Sequence, residues 1–153
     1  MNTDSESTFV DSNIIVYAHD AQAGERHRLS RELILECMEG KRIFYVSNQI
    51  LGEVVNVIKV KLPHLPPEIP VQIIEDILHI PSWKKLNYSE YTVKEALKLS
   101  AGKSFWDAVI AQTMIENGIT KIYTENTKDF SKIKGIKAVN PFHSKSIYKC
   151  GVI

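Results

Sequence analysis

Apolar residues along the chain fall into two alternating rhythms: short unbroken runs, and longer stretches with apolar positions three and four apart. The run Thr8-Phe9-Val10 reads as a strand that stops at Asp11, and residues 13–17 behind it open a short helix. Residues 25–39 set Leu29, Leu33, Ile34, Cys37 and Met38 at helical spacing, with Gly40 as the C-terminal stop. A strand over residues 43–46 follows. Ser47 then suits the N-cap of a helix reaching about Lys61, whose stripe is Ile50, Val54, Val57 and Ile58. The proline cluster at residues 62–67 reads as a loop within one domain. Beyond it come a helix over residues 68–80, a weak strand over 83–86, and a helix over 92–99 in which Thr92-x-x-Glu95 fits a capping box. Residues 104–116 form a further helix closed by Asn117-Gly118, and strands over residues 120–123 and 137–139 complete the chain.

Strands alternating with helices in this way call for a parallel sheet covered on both faces, joined by right-handed crossovers. Ligands of such sheets bind beyond the carboxyl ends of the strands. Among the acids, that rule selects Asp11 at the end of the first strand, Glu53 in the helix after the second, Asp107 in the first turn of the helix before the fourth, and Asp129 just after the fourth. Helix phase sharpens the choice. Glu53 shares a face with Ile50, Val54 and Val57, and Asp107 with Ile110, Ala111 and Met114, so both carboxylates point inward. A buried carboxylate without compensation is strongly disfavoured. Only Lys59 and Lys61 lie near Glu53 in sequence, and no basic residue lies near Asp107 in its helix. Inward acids without local cations suit a hard divalent ion with oxygen ligands, Mg²⁺ or Mn²⁺.

Each acid also has an ordinary reading. Asp11 suits the N-cap of the helix after it, and Ser104-Phe105-Trp106-Asp107 matches a capping box. Glu53 in mid-stripe has no capping role, which leaves a buried ion pair as its alternative, and Asp129 sits in a polar stretch that reads equally as a turn. Lys84, Lys85, Lys132, Lys134 and Lys137 read as solvated surface. The histidines form no metal-binding spacing and the glycines no phosphate loop.

Composition excludes more than it selects. The chain has 153 residues, 44% hydrophobic and 24% charged, with a formal charge of +1, so it is neither a polybasic coat protein nor an acidic disordered tail. At this size roughly 68–70% of the unfolded surface is buried on folding, enough to hold a fold without disulfides or a structural metal. The two cysteines, Cys37 and Cys150, have no ligand or disulfide pattern, which favours a reduced, cytoplasmic protein. Met1 to Thr8 shows no secretory signal, and the richest apolar stretch, residues 50–60, is interrupted by Gly52, Glu53, Asn56 and Lys59, so no membrane span is expected.

Five segments taken together carry a family resemblance: Phe9-Val10-Asp11-Ser12-Asn13; Ser47 followed six residues later by Glu53; Phe105-Trp106-Asp107-Ala108-Val109-Ile110-Ala111; Tyr123-Thr124-Glu125-Asn126-Thr127-Lys128-Asp129-Phe130; and Val139-Asn140-Pro141-Phe142. In that order and spacing, over about residues 8–142, the chain resembles the PIN-domain family, and its small members of the VapC toxin type. The resemblance implies one domain over residues 1–153, a three-layer α/β/α fold around a five-stranded parallel sheet of order 3-2-1-4-5, and carboxylates that bind Mg²⁺ or Mn²⁺ for RNA cleavage. Matched by motif, Asp11, Glu53 and Asp107 are the three principal acids. The fourth acid of the family stands in some members where this chain has Asn126 and in others where it has Asp129, and Asp129 is the choice here. Asn13 and Ser47 match small polar residues kept near the site, with Thr124 and Asn126 in similar supporting places. The resemblance further implies an RNA substrate, homodimers, and a cognate antitoxin that inserts a peptide into the acidic pocket and offers an arginine to the carboxylates.

Two other classes stand beside the nuclease. The same fold with a weak metal site, motivated by Asn126 at an acid position, is an RNA- or protein-binding scaffold. A phosphotransferase of the haloacid-dehalogenase type would use Asp11 as nucleophile, but it requires a second Asp where Asn13 stands, and a receiver domain lacks its adjacent acidic pair.

Overall fold

The computed structural model describes residues 7–102 and 104–143; Cys150 and residues 1–6 of the polar leader lie outside them. Five strands form one parallel sheet: β1 (Thr8–Val10), β2 (Phe44–Ser47), β3 (Trp83–Leu86), β4 (Lys121–Tyr123) and β5 (Lys137–Val139), in the order β3-β2-β1-β4-β5. Order and direction are those the resemblance implied. The central place of β1 fits its burial, because all three of its residues are buried, as in a strand covered on both faces. At the edge, β3 buries Trp83 and exposes Lys84 and Lys85, charges that discourage pairing with another chain.

Among the described residues seven α-helices flank the sheet: α1 (Ser12–His19), α2 (Glu25–Met38), α3 (Asn48–Lys61), α4 (Ile69–His79), α5 (Glu90–Leu99), α6 (Phe105–Glu116) and α7 (Thr127–Phe130), with a 3₁₀ turn at Ala21–Ala23. Right-handed crossovers put the helices of the steps β1 to β2 to β3 on one face, and the return from β3 to β4 puts α5 and α6 on the other. α1 packs against α2 and α3, and α5 against α6. The core at the sheet is aromatic on one side, where Phe44 lies 5.6 Å from Trp83 and 6.0 Å from Tyr123 between ring centroids. Gly40 takes φ 78° after α2, the left-handed stop that its sequence position predicts. No helix among the described residues is long and apolar enough to cross a membrane.

Element boundaries depart from the sequence reading in three places with physical causes. α1 begins at Ser12 and runs to His19, because Asp11 caps it and Asp20 ends it. Asp20 is itself buried; its Oδ1 accepts from the Gln22 amide at 3.1 Å and faces His64 Nε2 at 2.8 Å, tying the proline loop to the end of α1. The polar stretch after β4, read as a turn, closes one helical turn as α7, anchored by the fully buried Phe130. The capping box of α5 also lies one turn earlier than expected. Ser89 Oγ accepts from the Thr92 amide at 3.4 Å while Thr92 Oγ1 accepts from the Ser89 amide at 3.0 Å, and Thr92 Oγ1 donates to Glu116 Oε2 at 2.8 Å. Thr92 is thus inside the helix, its hydroxyl too committed to cap a later turn.

The two placements of the cap separate in a stability measurement. Ser89→Ala is expected to lower the unfolding free energy in urea by about 1 kcal/mol, the worth of an N-cap. Glu95→Ala is expected to cost less than that, since the charge of Glu95 pairs with the exposed Lys98 and caps no helix end. The reverse ranking would return the cap to Thr92.

Candidate active site

Three strands end side by side at the middle of the sheet. Val10 is paired with Tyr123, and the Asp11 amide extends the ladder by donating to the Tyr123 carbonyl at 3.0 Å, so Asp11 and Thr124 leave their strands level with each other. Continuing the β1–β2 register brings Ser47 level with Asp11 on the other side. Helices α1 and α3 start there, and α6 points its first turn at the same edge.

Asp11 is buried, with 7% of its surface exposed. Its Oδ1 accepts from the Ser12 amide at 2.7 Å as the N-cap of α1, and its Oδ2 accepts from the Thr124 hydroxyl at 2.7 Å. The capping reading is therefore correct, and it uses only one of the two oxygens. Burial pushes the Asp11 pKa up against the pull of Thr124 and Ser12, and the Glu53 charge adds to the rise. Thr124, itself fully buried, is fixed by its own amide bond to Val139 and accepts from the Asn126 amide at 2.9 Å. The Asn126 side chain then donates to Asp107 Oδ2 at 3.0 Å. A chain of donors thus runs from Asp107 through Asn126 and Thr124 to Asp11.

Asp107 enters from α6, where Ser104 caps the helix by accepting from the Asp107 amide at 3.5 Å. The cap uses the backbone of Asp107 and leaves its carboxylate to the site. That carboxyl is raised from the ordinary 3.8 to about 6, first by burial, then by the charges of Asp11, Asp129 and Glu53, with Asn126 pulling the other way. The charges of the other three sequence-selected acids therefore meet at Asp107. Glu53 is half-buried on α3, and its Oε1 accepts from Gln49 Nε2 at 2.8 Å. The same nitrogen donates to the Trp106 carbonyl at 3.1 Å, which fastens the first turn of α3 to the first turn of α6. Asp129 sits on α7 and acts on the group through its charge at Asp107. Ser47 serves α3 as N-cap, accepting from the Ile50 amide at 3.4 Å. Asn13 lies in the first turn of α1 with a buried Oδ1 that lacks a partner.

Sequence reasoning missed Gln49, although its place four residues before Glu53 is the spacing at which helix side chains meet. It also missed a cluster at the rim: Arg26 pairs with Glu125 at 2.9 Å and lies over the rings of Tyr17 and Phe142. Burial and the neighbouring Glu125 push the Tyr17 hydroxyl up to about 12. These residues come from four separate segments, and no local pattern marks them.

The donor set suits a hard divalent cation. Among the described residues no lysine, arginine or histidine pairs with Asp11, Glu53 or Asp107, while Asn13 Oδ1 and Gln49 Oε1 are buried acceptors without partners. Every free group is an oxygen, the ligand type that Mg²⁺ and Mn²⁺ prefer. The carboxylates do not form a closed cage by themselves: among the described residues no three histidine, cysteine or acidic side chains stand close enough to hold a metal.

The PIN domain family model matches residues 8–136. Among curated proteins none matches the chain by sequence. The fold is similar to that of VapC20 from Mycobacterium tuberculosis, described as a toxin that cleaves the sarcin-ricin loop, with TM-score 0.65 and 18% identity over 82% of this chain and 94% of that one. It is similar as well to VapBC2 from Rickettsia felis bound to a DNA fragment of its promoter (TM-score 0.61, 18% identity, 88% of this chain and 98% of that one). A toxin–antitoxin complex from Klebsiella pneumoniae gives TM-score 0.58 and 21% identity, covering 88% of this chain and 97% of that one.

The raised Asp107 carboxyl has a consequence for stability. Its folded form keeps a proton that the unfolded chain has lost between about pH 4 and pH 6, so through this group the metal-free protein loses stability as pH rises across that window. Asp107→Asn removes the loss. Thermal melts in EDTA are expected to show the variant above the wild type at pH 7 and level with it at pH 4; a variant that melts lower at pH 7 would mean the carboxylate is stabilised where it stands.

Proposed function

The chain belongs to the PIN-domain family, and on that premise we propose that it is an endoribonuclease dependent on Mg²⁺ or Mn²⁺, the toxin of a toxin–antitoxin pair. The observation that carries this reading is the convergence of Asp11, Glu53, Asp107 and Asp129 on one edge of the sheet, with no basic side chain among the described residues paired to the first three. Asp11, Glu53 and Asp107, with Asp129 beside them, would hold the cation. When bound, it supplies a Lewis acid for the phosphoryl oxygens and lowers the pKa of water.

The chain's own residues prepare that chemistry. Thr124 and the Ser12 amide fix both oxygens of Asp11, so the carboxylate has no rotamer to search for when the site is filled. Asn126 orients Asp107 from a position where an acid would add one more repelling charge. Gln49 fixes Glu53 against α6. The reaction is hydrolysis of a phosphodiester: water adds at phosphorus, the bridging P–O bond breaks, and the leaving oxygen takes a proton. RNA as the substrate follows from the family resemblance, as do a cognate antitoxin and homodimers, and a cytoplasmic place of action follows from the cysteine usage.

The test is cleavage of a mixed RNA pool by purified protein in EDTA, Mg²⁺ or Mn²⁺, beside Asp11→Asn and Asp107→Asn. Cleavage is expected only with metal and in neither variant. A second readout is independent of turnover: Mn²⁺ at about a hundred times its dissociation constant should stabilise the wild type by roughly 2.7 kcal/mol and leave Asp11→Asn almost unmoved. Folded protein that neither cleaves nor gains stability from Mn²⁺ would establish the scaffold reading, with Asn126 in place of an acid as its reason.

A further inference from the structure

Resting on the nuclease reading, we propose that Trp106 is the platform on which an unpaired base of the RNA substrate stacks. Trp106 is 54% exposed, whereas the other tryptophan, Trp83, is 2% exposed within the core. A single exposed apolar residue is ordinary on a protein surface. Its placement is what distinguishes this one. Trp106 directly precedes Asp107 in the first turn of α6, and its carbonyl accepts from the same Gln49 nitrogen that donates to Glu53. The Trp106 backbone is therefore tied through Gln49 to Glu53, one position before Asp107.

The direction of the indole is also restrained. The Phe105 ring meets the indole edge to face at 5.3 Å between centroids, and Phe105 packs on the small cluster of Ala96, Ala108 and Val109. An exposed indole offers a flat face on which a nucleobase stacks, and every nucleobase has such a face without regard to its sequence. A paired base in an A-form helix keeps both faces covered by its neighbours, so it is an unpaired base that is free to stack.

The experiment is run in EDTA, where binding is separated from cleavage. In a Trp83→Phe background Trp106 is the sole indole, and its emission is titrated with an eight-nucleotide single-stranded RNA and with the same sequence as a duplex. Quenching by the single strand and not by the duplex is expected. By anisotropy with labelled RNA, Trp106→Ala should weaken single-strand binding about tenfold or more, while Trp106→Phe keeps most of it. Unchanged affinity in Trp106→Ala, equal quenching by duplex, or a shift of Trp106 emission with protein concentration alone, which would mean a second copy covers it, each overturns the platform. Metal-dependent cleavage that Asp11→Asn abolishes and Trp106→Ala leaves untouched, in KM as well as kcat, sinks the platform and keeps the nuclease. Quenching by single strands without cleavage in any metal keeps the platform and sinks the nuclease.

Discussion

A carboxylate buried at the end of the central strand is the constraint around which this fold is arranged. Asp11 is nearly out of solvent, and no cation among the described side chains pairs with it. An ionised group in that position costs several kcal/mol unless donors surround it. The protein supplies the Ser12 amide and hydroxyl and the Thr124 hydroxyl, and both residues depend on the sheet for their place. Ser12 is held because Asp11 starts a helix directly at the strand end. Thr124 is held because β4 lies against β1 in a register that puts the two strand ends level.

From that point the other contacts follow as a chain. Thr124 is polarised by the Asn126 amide, and Asn126 turns its side chain to Asp107, so the loop after β4 serves two acids with neutral groups. Gln49 does the same from the opposite side for Glu53. Neutral donors restrain the carboxylates without cancelling their charge. Burial first, and then the charges of Asp11, Asp129 and Glu53, raise the Asp107 carboxyl, so the acids lie close enough to feel one another. Such an arrangement is unfavourable for an isolated protein and suits a site whose remaining partner comes from outside.

How much of this is legible in the sequence depends on the range of the interaction that decides it. Asp11 is found because a short apolar run stops at it, Glu53 because its neighbours at helical spacing are apolar, and Asp107 because both a cap and an inward face fall on it. Those are local signals. The one-turn helix α7 escapes a periodicity reading because four residues are too few to show a period, and what holds it is Phe130 buried in the core. The cap of α5 escapes because Ser89 and Thr92 offer the same hydroxyl, and the choice between them is made by Glu116 of a different helix.

The sequence by itself therefore determines the alternation of strands and helices, the inward phase of Glu53 and Asp107, and the placement of four acids at ends of elements that a parallel sheet brings to one edge. It does so because burial and capping act over one or two helical turns. Only the tertiary structure decides that Asp11 is held by Thr124, 113 positions away, that Asn126 grips Asp107, and that one Gln49 amide joins Glu53 to the backbone of Trp106. Hydrogen bonds need their partners within about 3 Å in the right direction. Strand register and helix docking set that distance, and neither is written in any single stretch of the chain.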